Sequence, residues 1–377
     1  MNYEYPPIGG GGGNATLHIA REFARLGHKP FVLTAAWSDL PASEDKDGVV
    51  VQRIPALRQN ADRCSIPEML AFMASALLSA PGWARRWNIE FTIIFFTLPC
   101  GPIGWLLKRL LKTPYAISLQ GGDVPGFDPQ TLGTYHALSG PVIRHLWHDA
   151  AAVVANAQGL ADLGRRFDAR TKIPVIPAGA DVNSIAPKSD YASQDAIKLL
   201  FVGRLVHQKG LDILLKALGK LDPELNWNMT FVGQGPEHAA LTSQAQHLGI
   251  MDRMTFKSWT DKAMLPGIYK NADIFVLPSR DEGMANALLE AMAAGLPVVG
   301  TDISGTREVV VQGETGLTVP AESVDELSAA LAAMILDQNK REVFGRAARA
   351  RVEARFSWTS AATQWLNVVE ESLGKVS

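Results

Sequence analysis

Cysteine is nearly absent from this chain: only Cys64 and Cys100 occur among 377 residues. They sit in unrelated apolar contexts without metal-ligand spacing, so a disulfide framework or a thiolate metal centre is excluded and a reducing cytoplasm fits best. Charge of one sign is equally scarce. Lys and Arg number 36 against 38 Asp and Glu, a net charge of −2, which supplies no overall basic field for nucleic acid. Long apolar runs are missing too. The longest uncharged stretch, Phe91 to Leu107, contains Pro99, Gly101, Pro102 and Gly104 and reads as strand, turn and helix start, not as a membrane span. The N-terminus carries no basic region or apolar core of a signal peptide. Low-complexity segments are not found.

What is present describes an ordinary soluble globule, 47% apolar and 20% charged, too long for one core. Two domains are therefore expected. Apolar strands are expected near 30–35, 48–54, 91–97, 114–119, 151–155 and 173–176, with helical segments between most of them. That alternation implies an α/β fold with a parallel sheet covered on both faces. Residues 185–196 are polar, contain Pro187 and lack apolar periodicity, so they are expected to link a first domain (1–184) to a second (197–357). The closing helix, 358–377, is expected to complete the first domain.

The densest signal runs from Asp273 to Pro320. An apolar strand, Ile274 to Leu277, ends in Pro278 and Ser279, and an acidic loop then reaches Glu282 and Gly283. A helix from about Ala285 to Ala294 is stopped by Gly295-Leu296-Pro297. This layout puts Glu282 just before a helix start and Glu290 about two turns inside, with ~12 Å as the upper span of eight residues at helical rise. The amides of Gly283, Met284 and Ala285 would face an anion lying between those two carboxylates. Such spacing suits an elongated ligand held at both ends, as a sugar–diphosphate–ribose–base molecule is. Taken singly, each Glu has a plainer reading, as a helix-start carboxylate and a solvated helical residue.

About eighty residues upstream the same grammar recurs. Leu199 to Val202 form a strand, Gly203-Arg204 leave its carboxyl end, and a helix opens near Gly210. Ligands of open α/β sheets bind just outside the carboxyl ends of strands. Arg204 and Lys209 are thus two cations placed for a diphosphate, one forked and one a point charge. A third unit, MTFVGQGPE, sends Gly233-Gln234-Gly235 off another strand end.

FVGRLVHQKGLDILLKAL, FVGQGPE, DIFVLPSRDEGMANALLEAMAAGLPVV and GETGLTVP, in this order, resemble glycosyltransferase family 4. PPIGGGGGNATLHIAREFARLGHKPFVLT, VVANAQGL and VIPAGADVNSIAP resemble its N-domain signposts. The resemblance implies a GT-B fold, two Rossmann-like parallel-sheet domains facing a central cleft. It also implies a retaining, nucleotide-sugar-dependent hexosyltransferase without a cofactor or an obligatory metal. By resemblance Arg204 and Lys209 stabilise the departing diphosphate, Glu282 holds donor-sugar hydroxyls and Glu290 the ribose. Gly203, Gly283, Met284, Ala285 and Gln234 line the donor, and the base sits near Gln234 and the loop around Trp259. The family carries an apolar strand before the segment matching NYEYPPIGGGGG, and here Met1 precedes it directly. An upstream start codon or a clipped sequence is the expected cause.

The five glycines from Gly9 to Gly13, with Gly11, Gly12 and Gly13 nearest the expected helix start at Asn14-Ala15, allow close backbone approach to a phosphate or acceptor. A flexible turn is the plainer alternative. In SLQGGDVPGFD, strand Tyr115 to Leu119 delivers Gln120 and Asp123, and Asp123 is the preferred acceptor-side residue. Gln120 stands where many family members have a His, and it cannot titrate. His18, His136, His145 and His148 are expected in structural or surface roles.

The expected partners are a nucleotide-sugar donor and a glycan, lipid-linked or small polyol acceptor, in cell-surface glycan or glycolipid synthesis. Trp83 and Trp87 among Arg85 and Arg86, and the apolar-basic helix from Trp105 to Lys112, admit a peripheral membrane contact at the inner face. A sheet-packing helix with a solvated basic edge is the plainer reading of both. Two other functions fit the same fold: a nucleotide-sugar epimerase, which needs titratable groups that are sparse here, and a non-catalytic nucleotide-sugar binder.

Overall fold

The computed structural model describes residues 1–61, 64–192, 195–258 and 264–374. The chain divides into two compact units, Met1–Ala178 with Trp358–Ser377, and Gly179–Ser357.

The first unit runs α1 (Gly11–Arg25), β1 (Phe31–Ala35), β2 (Ser43–Lys46), β3 (Val49–Ile54), α2 (Ile66–Arg86), β4 (Thr92–Phe95), α3 (Thr97–Leu111), β5 (Tyr115–Leu119), α4 (Pro129–Asp149), β6 (Ala152–Ala155) and α5 (Gln158–Phe167). Among the described residues its strands form two short sheets, ordered β1-β3-β2 and β4-β5-β6. Met1 and Asn2 lie between them. The Asn2 amide donates to Leu33 O at 3.2 Å, and the Phe95 amide donates to Met1 O at 3.0 Å. Two residues thus hold the position where the expected first strand would run.

Two further departures are local. The β2 strand, polar throughout, pairs antiparallel with β3, and its lack of apolar residues hides it from periodicity. The strand expected near 173–176 is a single bridge between Ala155 and Val175, because Pro174 and Pro177 flank it and remove ladder donors. Helix α2 starts at a capping box, with the Glu68 carboxylate accepting from the Ser65 amide at 2.6 Å.

The second unit runs β7 (Ile197–Val202), α6 (Leu211–Gly219), β8 (Trp227–Val232), α7 (His238–His247), β9 (Met254–Lys257), α8 (Leu265–Lys270), β10 (Ile274–Leu277), α9 (Asn286–Ala293), β11 (Val298–Thr301), α10 (Ser304–Arg307), β12 (Gly316–Val319), α11 (Val324–Leu336) and α12 (Gln338–Arg355). Its strands, all parallel, take the order β12-β11-β10-β7-β8-β9. Residues of β10 and β11 are buried throughout, as central strands covered by helices on both faces must be. The chain winds outward from β7 in one direction, returns to β10 on its other side, and winds outward again. The final helix, α13 (Trp358–Ser372), returns to the first unit, where Trp358 stacks on His18 at 5.1 Å and Thr359 Oγ1 donates to Glu22 at 2.9 Å.

Residues 185–192, expected to be linker, are built into the second unit. The Lys188 amide donates to Ala294 O at 2.8 Å, and Tyr191 Oη donates to Gly295 O at 2.7 Å. The Lys188 ammonium pairs with the buried Asp273 at 2.9 Å, and the same carboxylate accepts the Lys198 amide at 2.8 Å. The polar sequence here anchors the segment to a carboxylate at the start of β10, which composition alone does not distinguish from a spacer. Lys188→Ala leaves Asp273 charged, buried and short of a partner. The expected cost is about 3 kcal/mol, read as a lower urea midpoint at unchanged slope. An unmoved midpoint would show that solvent reaches the carboxylate.

Candidate active site

Between β7 and β10 the winding direction of the second unit reverses, with Ile274 paired to Leu199 and Phe275 to Leu200. In open α/β sheets a switch point of this kind is where ligands bind, just outside the carboxyl ends of the strands. The loop after β7 brings Gly203, Arg204 and a 3₁₀ turn, His207–Lys209. The loop after β10 brings Ser279, Arg280, Glu282 and Gly283. The loop after β8 lies alongside: the Leu205 amide donates to Gln234 O at 2.8 Å, and the Glu237 amide to Leu205 O at 3.0 Å.

These loops close through backbone contacts that admit no side chain. Gly210 has φ of +63°, and a Cβ there would lie 2.1 Å from Pro278 O. Its neighbour Lys209 is thereby delivered beside the β10 loop. A Cβ on Gly305, at the start of α10, would lie 1.9 Å from Gly283 O, so α10 seats the Glu282-Gly283 backbone directly.

Where the two loops meet, the Lys209 ammonium donates to Glu282 Oε1, an oxygen that also accepts from Ser279 Oγ at 2.9 Å. Both charged side chains are largely buried. Arg204 is exposed and has no ion-pair partner among the described residues. Thus one cation faces outward unpaired while the other is held by the very carboxylate expected to hold sugar hydroxyls. Gln234 is exposed, and Met284 and Gly283 are buried, so those two offer main chain and no side chain. Helix α9 begins at Asn286, one residue later than expected, with Ala285 as its N-cap. Its first-turn amides therefore begin at Asn286, and Gly283 to Ala285 belong to the preceding loop. Glu290 lies little more than one turn inside, not two, and accepts from Tyr269 Oη at 2.9 Å. Trp259 lies outside the described residues.

Three supporting residues escape sequence reading. Ser279 is wholly buried, fixed through its carbonyl by Thr301 Oγ1 at 2.5 Å. Arg280 grips Asp212 with two bonds at 2.8 and 2.9 Å, Glu322 at 2.7 Å and His207 O at 2.7 Å. Gln208 adds a bond to Asp281 O at 2.9 Å. Together they strap the Lys209 turn to the Glu282 loop. Burial alone would raise the Asp212 carboxyl, but the Arg280 fork outweighs it and holds the group below the ordinary range. The one clue in the sequence is charge alternating with turn residues, and the partners are far apart along the chain.

In the first unit, α1 begins at Gly11 with Gly10 as its N-cap and no capping side chain. Gly11, Gly12 and Gly13 are consequently the first helical turn, whose amides find no acceptor within the helix, and not a loop ahead of Asn14. Packing overrides glycine's poor helix propensity: a Cβ on Gly12 would lie 2.6 Å from the Phe96 ring and 3.7 Å from Gln120 Cγ. The glycine turn and the Gln120 loop are thus neighbours.

Asp123 is placed otherwise than expected. It is only 4% exposed and accepts from the amides of Thr97, Gln120 and Gly121 at 2.8, 2.9 and 3.0 Å. Burial raises its carboxyl above the ordinary range despite those amides. Asp123 therefore organises the loop instead of facing an acceptor, and Gln120 and the backbone are what the loop presents. Trp147 Nε1 donates to Thr97 Oγ1 at 2.9 Å, and His136 Nε2 donates to Gly122 O at 3.0 Å. Among the described residues no group of three His, Cys, Asp or Glu is placed to hold a metal ion.

Two units of largely parallel sheet, one with charged loops gathered at its switch point, define an α/β architecture of two Rossmann-like halves. Two family models match the chain, the glycosyl transferase 4-like domain over residues 10–179 and glycosyl transferases group 1 over residues 185–351. A D-inositol 3-phosphate glycosyltransferase of Corynebacterium aurimucosum is 28% identical, over 98% of this chain and 93% of its own length. An uncharacterized glycosyltransferase of Methanocaldococcus jannaschii is 26% identical, over 98% and 96%. Sucrose-phosphate synthase from Thermosynechococcus elongatus has the same fold, with a TM-score of 0.85 at 21% identity over 97% of this chain and 94% of that one. Anabaena HepE, solved with UDP and glucose, follows at 0.75 and 19%, over 98% and 100%. The chain belongs to the family 4 glycosyltransferases of GT-B fold.

Gly305→Ala tests the seat under Glu282. The added methyl forces α10 and the loop apart, at an expected cost of about 1–3 kcal/mol. Thermal unfolding reports the loss, and an unchanged transition would mean that α10 shifts freely.

Proposed function

We propose that this glycosyltransferase is a retaining hexosyltransferase that uses a nucleoside-diphosphate sugar. The observation that carries the reading is Arg204 and the Lys209–Glu282 pair gathered at the switch point of the second unit. The bond from the anomeric carbon to the β-phosphate oxygen breaks, and the acceptor oxygen bonds that carbon on the same face. The acceptor proton passes to an oxygen of the departing diphosphate. Arg204 and Lys209 meet the charge that develops on the diphosphate, at a place where such donors act most strongly. Glu282, released from Lys209, accepts from sugar hydroxyls, and Glu290 accepts from the ribose. Two cations serve where a divalent ion would otherwise be needed, so the reaction is expected to proceed in EDTA.

Titration calorimetry with UDP, GDP and ADP, with and without EDTA, tests the site. One diphosphate is expected to bind selectively, with EDTA making no difference and Glu290→Ala weakening it about tenfold or more. UDP leads the series because HepE, of like fold, was solved with it. No binding by any of the three would remove the assigned donor site.

We assign acceptor recognition to the first unit, through the glycine turn and the Gln120 loop, for a glycan, lipid-linked or small polyol hydroxyl in cell-surface glycan assembly at the cytoplasmic side of the membrane. A peripheral membrane contact is supported by α2. No charged residue lies between Glu68 and Arg85, and Ile66, Leu70 and Leu78 are 57%, 53% and 87% exposed at four-residue multiples. Thr113 Oγ1 donates to Ile89 O at 3.4 Å, bringing the basic ends of α2 and α3 together, each with an Arg over a Trp ring. No helix among the described residues is long and apolar enough to cross a membrane. Co-sedimentation with phosphatidylcholine vesicles containing phosphatidylglycerol is expected for the wild type and reduced several-fold by Leu78→Glu. Equal sedimentation of both proteins would refute the contact.

A further inference from the structure

Glu290 is not held by α9 alone. Tyr269 of α8 is wholly buried, its ring tilted against Phe275 of β10 with centroids 6.3 Å apart, and its hydroxyl donates to Glu290 Oε2 at 2.9 Å. Burial, reinforced by the neighbouring carboxylate, raises the phenol well above its ordinary value, so it remains a donor across the whole working range of pH. An enclosed ring has one orientation, and its hydroxyl therefore has one place. A glutamate on a helix surface has several rotamers of similar energy.

We propose that Tyr269 is a positioning residue for nucleotide recognition, selecting the Glu290 rotamer that meets both ribose hydroxyls. This rests on the donor-site reading given above. A carboxylate accepts at about four lone-pair positions, so the phenol bond fixes one of them. Two adjacent hydroxyls require a carboxylate in one plane and at one depth. Tyr269 supplies that constraint from beneath, out of reach of the ligand. The simplest contrary view is that the hydroxyl only satisfies its own need for a partner. In that case Glu290 would adopt its working rotamer with or without it.

The test compares UDP, GDP and ADP with their 2′,3′-dideoxy forms on wild type, Tyr269→Phe and Glu290→Gln, by calorimetry. The quantity read is the affinity ratio of ribo to dideoxy form within one protein sample, so any inactive fraction cancels. Wild type is expected to prefer the ribo form about tenfold, the size of hydrogen bonds to a charged group. In Tyr269→Phe the ratio should fall to about two, with donor KM raised and kcat held within about twofold. A wild-type ratio retained in Tyr269→Phe but lost in Glu290→Gln overturns the role of Tyr269 and leaves the donor site standing. A ratio that Glu290→Gln does not change removes Glu290 from the ribose, and the donor-site assignment fails with it.

Discussion

The site in the second unit depends on one feature of chain path. Strands β7 and β10 are hydrogen-bonded neighbours, Leu199 lying against Ile274, although β8, β9 and helices α6 to α8 come between them in the chain. Because the winding reverses at that pairing, the loops that follow the two strands are not crossed by a connecting helix. The charged groups of the site hang from those two loops. A parallel strand buried on both faces cannot carry charged side chains along its length, so charge is displaced to the strand ends, where backbone amides are also unpaired. The position of the site is therefore a consequence of topology, and the residues placed there determine only its chemistry.

Apart from Arg204, those residues are paired with opposite charges. Lys209 rests on Glu282, and Arg280 joins Asp212 and Glu322 while binding the carbonyl of His207. Leaving a buried charge unpaired is costly, whereas exchanging one partner for another need not be. An arriving anion can draw Lys209 outward only if Glu282 gains donors of its own at the same time. Sugar hydroxyls are such donors and bulk anions are not. If the pair holds the donor as proposed, it would couple phosphate binding to sugar binding through mutual compensation, while Arg280, one step removed, ties both loops together.

Much of this is legible in order along the chain. Short apolar runs ending in Gly-Arg, Gly-Gln-Gly and Pro-Ser mark the strands of the second unit and the ends from which the site is built, and motif order carries the family resemblance. What escapes has a common physical origin. The partners of Arg280 and Tyr269, and the Thr301 hydroxyl that fixes the Ser279 carbonyl, lie on other elements, tens of residues away, and no local pattern encodes a pairing of that kind. Asp123 misleads for a related reason. An Asp after two glycines signals a turn, but only the fold shows whether its carboxylate turns toward solvent or inward to three amides. The polar residues from 185 onward and the polar strand β2 escape because periodicity registers apolar burial and is silent on polar anchoring.

The two units solve the same geometric problem with different materials. At its strand ends the second unit presents side-chain charge, braced by further charge. The first carries little charge there: a helical turn of glycines in which Gly11 is exposed and Gly12 and Gly13 are buried, Gly12 against Phe96, and a loop shaped by a carboxylate withdrawn into the core. Charge suits a ligand whose phosphates are invariant, since strong and directional contacts are then rewarded every time. A surface of amides, carbonyls and one neutral Gln120 discriminates by shape and by hydrogen-bond register, and it accommodates hydroxyl-bearing molecules of many outlines. Changes in side chains around such a surface alter which acceptor fits without disturbing the interior bonds of Asp123. If the first unit holds the acceptor as proposed, specificity for it could vary there while the donor side of the second unit is held constant.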